Sequence, residues 1–170
     1  MKKIDFGQKF MKQNLQLFRC PVCQTPFDEV VGYSLSCPHH HTFDISKKGT
    51  LFFLTKQANN EYDKSMLQAR HKILQAGLFD PIVDAIATYL GPEPETILDV
   101  GCGEGTPLAR LLALRDGKDT AIGFDISKDG INLATQQPAD AFFCVADLAR
   151  LPFNDHTIST IIDLFSPSAY

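Results

Sequence analysis

The sequence predicts an α/β fold, with an open parallel sheet of about four strands, helices on its faces, and a small metal-stapled module in front. Three observations predict it. From Thr96 onward, short apolar runs alternate with helical periodicities in a βαβαβ…β rhythm. A turn with glycines at alternate positions, Gly101-Cys102-Gly103-Glu104-Gly105, joins the first apolar run to a helix. Cys20, Cys23, Cys37, His39, His40 and His41 crowd into one short stretch.

Met1 to Phe18 mixes basic and apolar residues and reads either as a helix or as an extended lead-in. Arg19 to Leu54 holds the metal-type ligands and several turn residues. Glu61 to Leu90 reads as helical, with apolar positions Met66, Ile73, Leu74, Ile82, Val83, Ile86 and Leu90. Gly77 ends a first helix, and Asp80-Pro81 starts a second with Asp80 as N-cap and Pro81 at the first helical position. Gly91-Pro92-Glu93-Pro94 breaks the pattern. Strands follow at Thr96 to Val100, Thr120 to Phe124, Ala141 to Val145 and Ile158 to Phe165, with helices at Thr106 to Leu114 and Lys128 to Gln136. The expected division is a metal-binding module over residues 1–56, a helical linker over 57–90, and a sheet domain over 91–170.

A 44% hydrophobic content with 10% aromatics excludes wholesale disorder. No apolar run approaches the ~20 residues that span a bilayer. Met1 to Arg19 lacks a secretory h-region, so an intracellular, cytoplasmic protein is expected. The five cysteines are odd in number and argue against a disulfide framework. Cys102 and Cys144 read as small buried hydrophobes. Residues 1–56 carry eight Lys/Arg against four Asp/Glu, and the remainder eight against sixteen. A basic front on an acidic body suits a polyanion, or else is a solvated surface with chance clustering.

Cys20-Pro21-Val22-Cys23 is a C-x₂-C pair that aims two thiolates at one point, as tetrahedral zinc requires. Cys37 is the third thiolate. His39, His40 and His41 are all within reach of the centre. His41 is preferred because its longer spacing lets the imidazole reach the metal while the turn closes. With four protein ligands the zinc is structural and supplies folding energy to a module with little core of its own. Phe18, Phe27, Tyr33 and Phe43 pack beneath the zinc turns, or one or two of them stack on bases.

The strand Ile97 to Val100 runs into the glycine turn, whose G-x-G-x-G spacing differs from the dinucleotide fingerprint. Asp125 ends the second strand about 20 residues beyond the glycines, where a ribose would lie. Asp147 ends the third strand, where a carboxylate can take an adenine amino group. Asp163 ends the fourth. Each acid alone also reads as a turn or N-cap residue; together and in this order they point to a nucleoside cofactor.

With these residues in view the chain resembles class I S-adenosylmethionine methyltransferases, which have a Rossmann-like sheet. More narrowly it resembles the RlmA family of bacterial large-subunit rRNA guanine-N1-methyltransferases. The residues that carry this are Cys20-Pro-x-Cys23, Cys37-Pro-x-x-His41-x-Phe43-Asp44, Gln68-Ala69-Arg70, Ala76-Gly77-Leu78-Phe79-Asp80-Pro81, Leu98 to Gly105, and Leu151-Pro152-Phe153. The resemblance implies a zinc-ribbon-like module that helps recognise an rRNA hairpin, and a methyltransferase domain that modifies guanine N1. It implies S-adenosylmethionine and zinc as cofactors, a large-subunit rRNA hairpin as partner, and leaves a homodimer open. Phe79 matches a position where the family carries an aromatic near the cofactor. The candidate cofactor-binding set is therefore Phe79, Asp99, Gly101, Gly103, Glu104, Gly105, Thr106, Asp125, Ile126, Asp147 and Leu148, and the metal set Cys20, Cys23, Cys37 and His41. The family sheet has seven strands, so this chain is expected to hold the N-terminal part of the domain. A general base is not assigned. Asp163 is the nearest acid, with pocket closure as its other reading.

Two further readings are a methyltransferase of another substrate with a purely structural zinc module, and a non-enzymatic zinc RNA-binding protein. Salt-steep hairpin binding separates the first from the favoured reading, and cofactor calorimetry separates the second.

Overall fold

A computed structural model describes residues 1–56, 64–164 and 166. The chain opens with helix α1 (Lys3–Asn14) and a single 3₁₀ turn (Leu15–Leu17). Three short antiparallel strands follow, β1 (Glu29–Val31), β2 (Ser34–Ser36) and β3 (Thr42–Asp44), then β4 (Leu51–Phe52). Next come α2 (Lys64–Gln75), α3 (Asp80–Tyr89), β5 (Thr96–Val100), α4 (Thr106–Leu114), β6 (Thr120–Asp125), α5 (Lys128–Ala134), β7 (Ala141–Val145) and β8 (Thr160–Asp163). Expectations at Glu61 and Phe165 lie outside the described residues. No helix among the described residues is long and apolar enough to cross a membrane.

Among the described residues the main sheet has five parallel strands in the order β4-β7-β6-β5-β8. Four of them stand where the apolar runs predicted. The fifth, β4, comes from the front of the chain: Leu51 and Phe52 pair with Cys144 and Val145, and the Phe53 amide donates to the Val145 carbonyl at 2.8 Å. A two-residue strand has no periodicity to read; only the open edge of β7 makes it one.

Strand alternation sorts the core into two layers. Ile97, Ala121, Phe143 and Val145 face α3, α4 and α5, against Val83, Leu108, Leu111 and Ile131. Leu98, Val100, Ile122, Phe124, Phe142 and Cys144 face the opposite way. That second face is covered by the N-terminal module, through Phe10, Met11, Leu17, Phe18, Phe27 and Phe53. The Phe142 ring stacks on Phe10 with centroids 4.9 Å apart and meets Phe18 edge-on at 5.8 Å. Residues on both sides of position 56 thus share one buried cluster. Cys102 and Cys144 are buried free thiols, and burial pushes both well above the ordinary thiol range.

The α3 start differs by one residue from the sequence reading. Phe79 occupies the cap position and Asp80 is already helical, with Pro81 in the first turn. The Asp80 carboxylate instead pairs with Arg110 of α4 at 3.1 Å.

Candidate functional site

The zinc-type ligands converge. Donor atoms of Cys20, Cys23, Cys37 and His41 all lie within 4.8 Å of one another. The Cys23 and Cys37 sulfurs are 3.7 Å apart, and His41 Nδ1 lies 3.6 Å from the Cys20 sulfur and 3.4 Å from that of Cys37. Thiolates about 2.3 Å from a tetrahedral zinc would be separated by about 3.7 Å, so the set fits the ion.

Two local turns build this geometry. In the first, the Gln24 amide donates back to the Cys20 carbonyl and Gln24 takes a left-handed φ of 61°. In the second, the Cys37 amide donates to the His41 carbonyl and His40 has φ 63°. The second turn separates the three histidines. His41 points in, His39 Nδ1 meets the Thr25 hydroxyl at 3.2 Å, and His40 is exposed. Hydrogen bonding from Thr25 pulls the Cys23 thiol down to about 5, whereas burial pushes Cys20 up to about 11. A divalent cation would favour the thiolate at both. Phe18 and Phe27 are buried and Phe43 packs against Phe27 and Phe53; Tyr33 is exposed, its hydroxyl donating to Asp5 at 2.8 Å.

The second site is a cavity of about 250 Å³ at the carboxyl ends of β5, β6 and β7. Gly101, Gly103, Asp125, Ile126, Asp147 and Leu148 line it. Gly103 has φ 56°, and a Cβ there would meet open space, so its bare backbone borders the hollow. Gly105 serves packing: a Cβ would come within 2.9 Å of the Ala134 Cβ. Asp125 locks the turn, since its Oδ2 accepts from the Gly103 amide at 2.9 Å and its Oδ1 from the Ser127 amide at 2.8 Å. Asp147 Oδ1 accepts from the Ala149 amide at 2.9 Å, which leaves its other oxygen without a recorded partner among the described residues.

Five of the candidate cofactor residues lie outside this lining. Asp99 is buried beneath the glycine turn; burial, together with the charges of Asp125 and Asp163, pushes its carboxyl up to about 8. Glu104 is fully buried and turned inward, accepting from the Thr106 amide at 3.1 Å, the Thr106 hydroxyl at 2.6 Å, Gln137 Nε2 at 3.2 Å, and pairing with His71 Nδ1. Gly105 and Thr106 lie beside it at the start of α4, and Phe79 packs against the helical core layer. Residues to which the sequence assigns no place in the site also line the cavity: Leu67 and Arg70 from α2, Ser127, Ala146 and Ser166. Arg70 enters the sequence reading only within the Gln68-Ala69-Arg70 resemblance; a charge inside a helical repeat is the available signal.

Known proteins place these observations. A family profile described as "RlmA, N-terminal", a zinc ribbon, matches residues 18–59, and one described as a methyltransferase domain matches 97–169. The Bacillus subtilis (strain 168) protein YxjB, provisionally described as a 23S rRNA (guanine-N(1)-)-methyltransferase, is 41% identical over 166 residues, covering 92% of this chain and 59% of that protein. The 23S rRNA (guanine(748)-N(1))-methyltransferase of Streptomyces fradiae is 27% identical over 165 residues, covering 92% and 58%. The chain therefore spans less than two thirds of the length of these relatives.

Among solved structures, a Methanococcus maripaludis protein provisionally described as an S-adenosyl-L-methionine-dependent methyltransferase aligns with a TM-score of 0.51 and 21% identity, covering 66% of this chain and 55% of that one. A SAM-dependent methyltransferase from Aquifex aeolicus aligns at 0.50 and 21%, covering 61% and 57%. These two show the shared fold. A zinc ribbon of the RlmA type packed on a methyltransferase-type sheet, with 41% identity to YxjB running through both, is thus what this chain shares with these relatives.

Proposed function

We propose that this protein binds S-adenosylmethionine in the cavity at the ends of β5, β6 and β7 and passes the methyl group to N1 of a guanine in a large-subunit rRNA hairpin. The carrying observation is Asp125, whose carboxylate lines the cavity beside bare Gly103 backbone while holding the Gly103 amide. When bound, the cofactor supplies an electrophilic methyl group on a cationic sulfur. Asp125 would accept the ribose hydroxyls and Asp147 the adenine amino group, with Ile126 and Leu148 as apolar flanks. Gly103 would admit the amino-acid portion past the turn, while Gly101 takes the close approach of Ser166 at the cavity wall. Asp99, Glu104, Gly105, Thr106 and Phe79 would act from beneath, by fixing the turn that borders the ligand.

Zinc would hold the ribbon through Cys20, Cys23, Cys37 and His41, away from the chemistry. The ribbon stands close to the cavity rim: the Arg19 amide donates to the Pro152 carbonyl at 2.9 Å, and Phe18 bridges Phe153, just beyond Leu148. An RNA bound by the ribbon could thus reach the cofactor. Asp163 Oδ1 already accepts from the Ser166 amide at 3.0 Å and its hydroxyl at 2.7 Å, which suits closing that segment over Gly101 rather than taking the guanine proton.

Such work belongs in the cytoplasm, where ribosomal RNA is made available. A homodimer would meet through the exposed Ile73, Leu78 and Ile82 of the α2–α3 region, and a monomeric boundary in sedimentation at all concentrations excludes it. The central test is transfer of label from methyl-tritiated S-adenosylmethionine to large-subunit rRNA. Label on guanine N1 supports the reading. Cofactor binding with transfer only to a non-RNA acceptor refutes the substrate, and absence of cofactor binding refutes the enzyme.

A further inference from the structure

We propose that Arg70 reads the free α-carboxylate at the amino-acid end of the bound nucleoside, so that the cavity selects the intact amino-acid conjugate over truncated nucleosides. This rests on the cofactor reading above and deepens it.

Arg70 and Leu67 stand three residues apart on α2, and so share the helix face that borders the cavity. His71, the next residue, grips the buried Glu104 carboxylate of the glycine turn, which fixes this turn of α2 against the loop. Gln75, one turn on, donates to the Thr106 hydroxyl at 3.0 Å. Arg70 is thereby held at the wall by neighbours that do not touch its own charge.

Among the described lining residues it is the one cation, set against two anions, Asp125 and Asp147. Those two carboxylates are tied to backbone amides at the ends of β6 and β7. No hydrogen bond or ion pair among the described residues engages the Arg70 guanidinium. A half-buried, unpaired guanidinium beside a hollow wants a planar anion that it can fork. With Asp125 given to the ribose hydroxyls and Asp147 to the adenine amino group, the single carboxylate of S-adenosylmethionine is the anion left for the arginine.

The test is calorimetry on the whole 170-residue chain with three probes: S-adenosylhomocysteine, its carboxamide, and 5′-methylthioadenosine, which lacks the amino-acid end. On the wild-type chain the carboxamide should bind about ten-fold or more weakly than the acid, the scale of a lost charge-assisted hydrogen bond. Arg70→Gln should lose a similar factor for the acid and leave methylthioadenosine within about two-fold, while Arg70→Lys recovers part of the loss. Equal affinity for acid and carboxamide on the wild-type chain overturns the inference even if the substituted chains fail to fold. Equal losses for all three probes in Arg70→Gln also overturn it, as does an unchanged affinity for the acid with weakened RNA binding. If none of the probes binds the wild-type chain, the cofactor reading itself falls.

Discussion

Replacing Phe142 by alanine should loosen the zinc ribbon as well as the sheet. Phe142 is wholly buried in the middle of β7, yet the rings it touches, Phe10 at 4.9 Å and Phe18 at 5.8 Å, belong to the N-terminal module. Truncating a buried Phe costs about 3–5 kcal/mol, of which each aromatic pair contributes about 0.5–1.5 kcal/mol. For a chain of this size about 2–4 °C of Tm is lost per kcal/mol, so the midpoint should fall by roughly 6–20 °C. Phe143→Ala provides the control. Phe143 is nearly as buried but faces the helical layer. Scanning calorimetry of the zinc-loaded proteins gives the midpoints, and the rate of zinc removal by a colorimetric chelator reports on the ribbon. Both variants should melt earlier, and only Phe142→Ala should release zinc faster. If the two variants release zinc at the same rate, or if the wild-type chain melts in two separate steps, the ribbon and sheet do not share a core and the reasoning fails.

Three other outcomes are expected. Cys37→Ser should lose bound zinc and melt the ribbon, seen as a metal content near zero by mass spectrometry and a lowered thermal midpoint. Asp125→Ala should weaken S-adenosylmethionine binding by about 1.5–3 kcal/mol in calorimetry, because it removes a charged acceptor and frees the Gly103 amide; unchanged affinity would take Asp125 out of the site. Asp99 titrates at about 8 in the fold against an ordinary value of 3.8, so the folded chain binds more protons than the unfolded one between those values. Its contribution to stability is therefore greatest below about pH 4 and declines as pH rises toward about 8. Asp99→Asn should flatten that decline in urea melts collected across the range, and an identical pH slope would contradict the assignment.

Local features were legible because they are written in adjacent residues. The spans Thr96–Val100, Thr106–Leu114 and Ala141–Val145 follow from apolar runs bounded by Pro, Gly and polar breaks. The three candidate cysteine ligands follow from spacing, since a short turn can bring its own cysteines together wherever the rest of the chain goes. Three acids at strand ends could be ordered along a sheet before its register was known. His39 and His40 show the limit, because the choice of His41 among them is made by a single left-handed residue in the turn.

What the linear order alone determined, then, is chemistry that neighbours in the chain complete: a cysteine and histidine cage, a glycine turn after a strand, and the βα rhythm. The tertiary structure decided what distant segments do to one another. It recruited Leu51 and Phe52 as a fifth strand, laid the ribbon across the face bearing Phe142, turned Glu104 away from the hollow onto His71, and brought Arg70 to its wall. The physical reason is that hydrogen-bond propensity and turn geometry act over a few residues. Edge pairing, face burial and charge placement are settled only when loops close and the buried surfaces compete for one another.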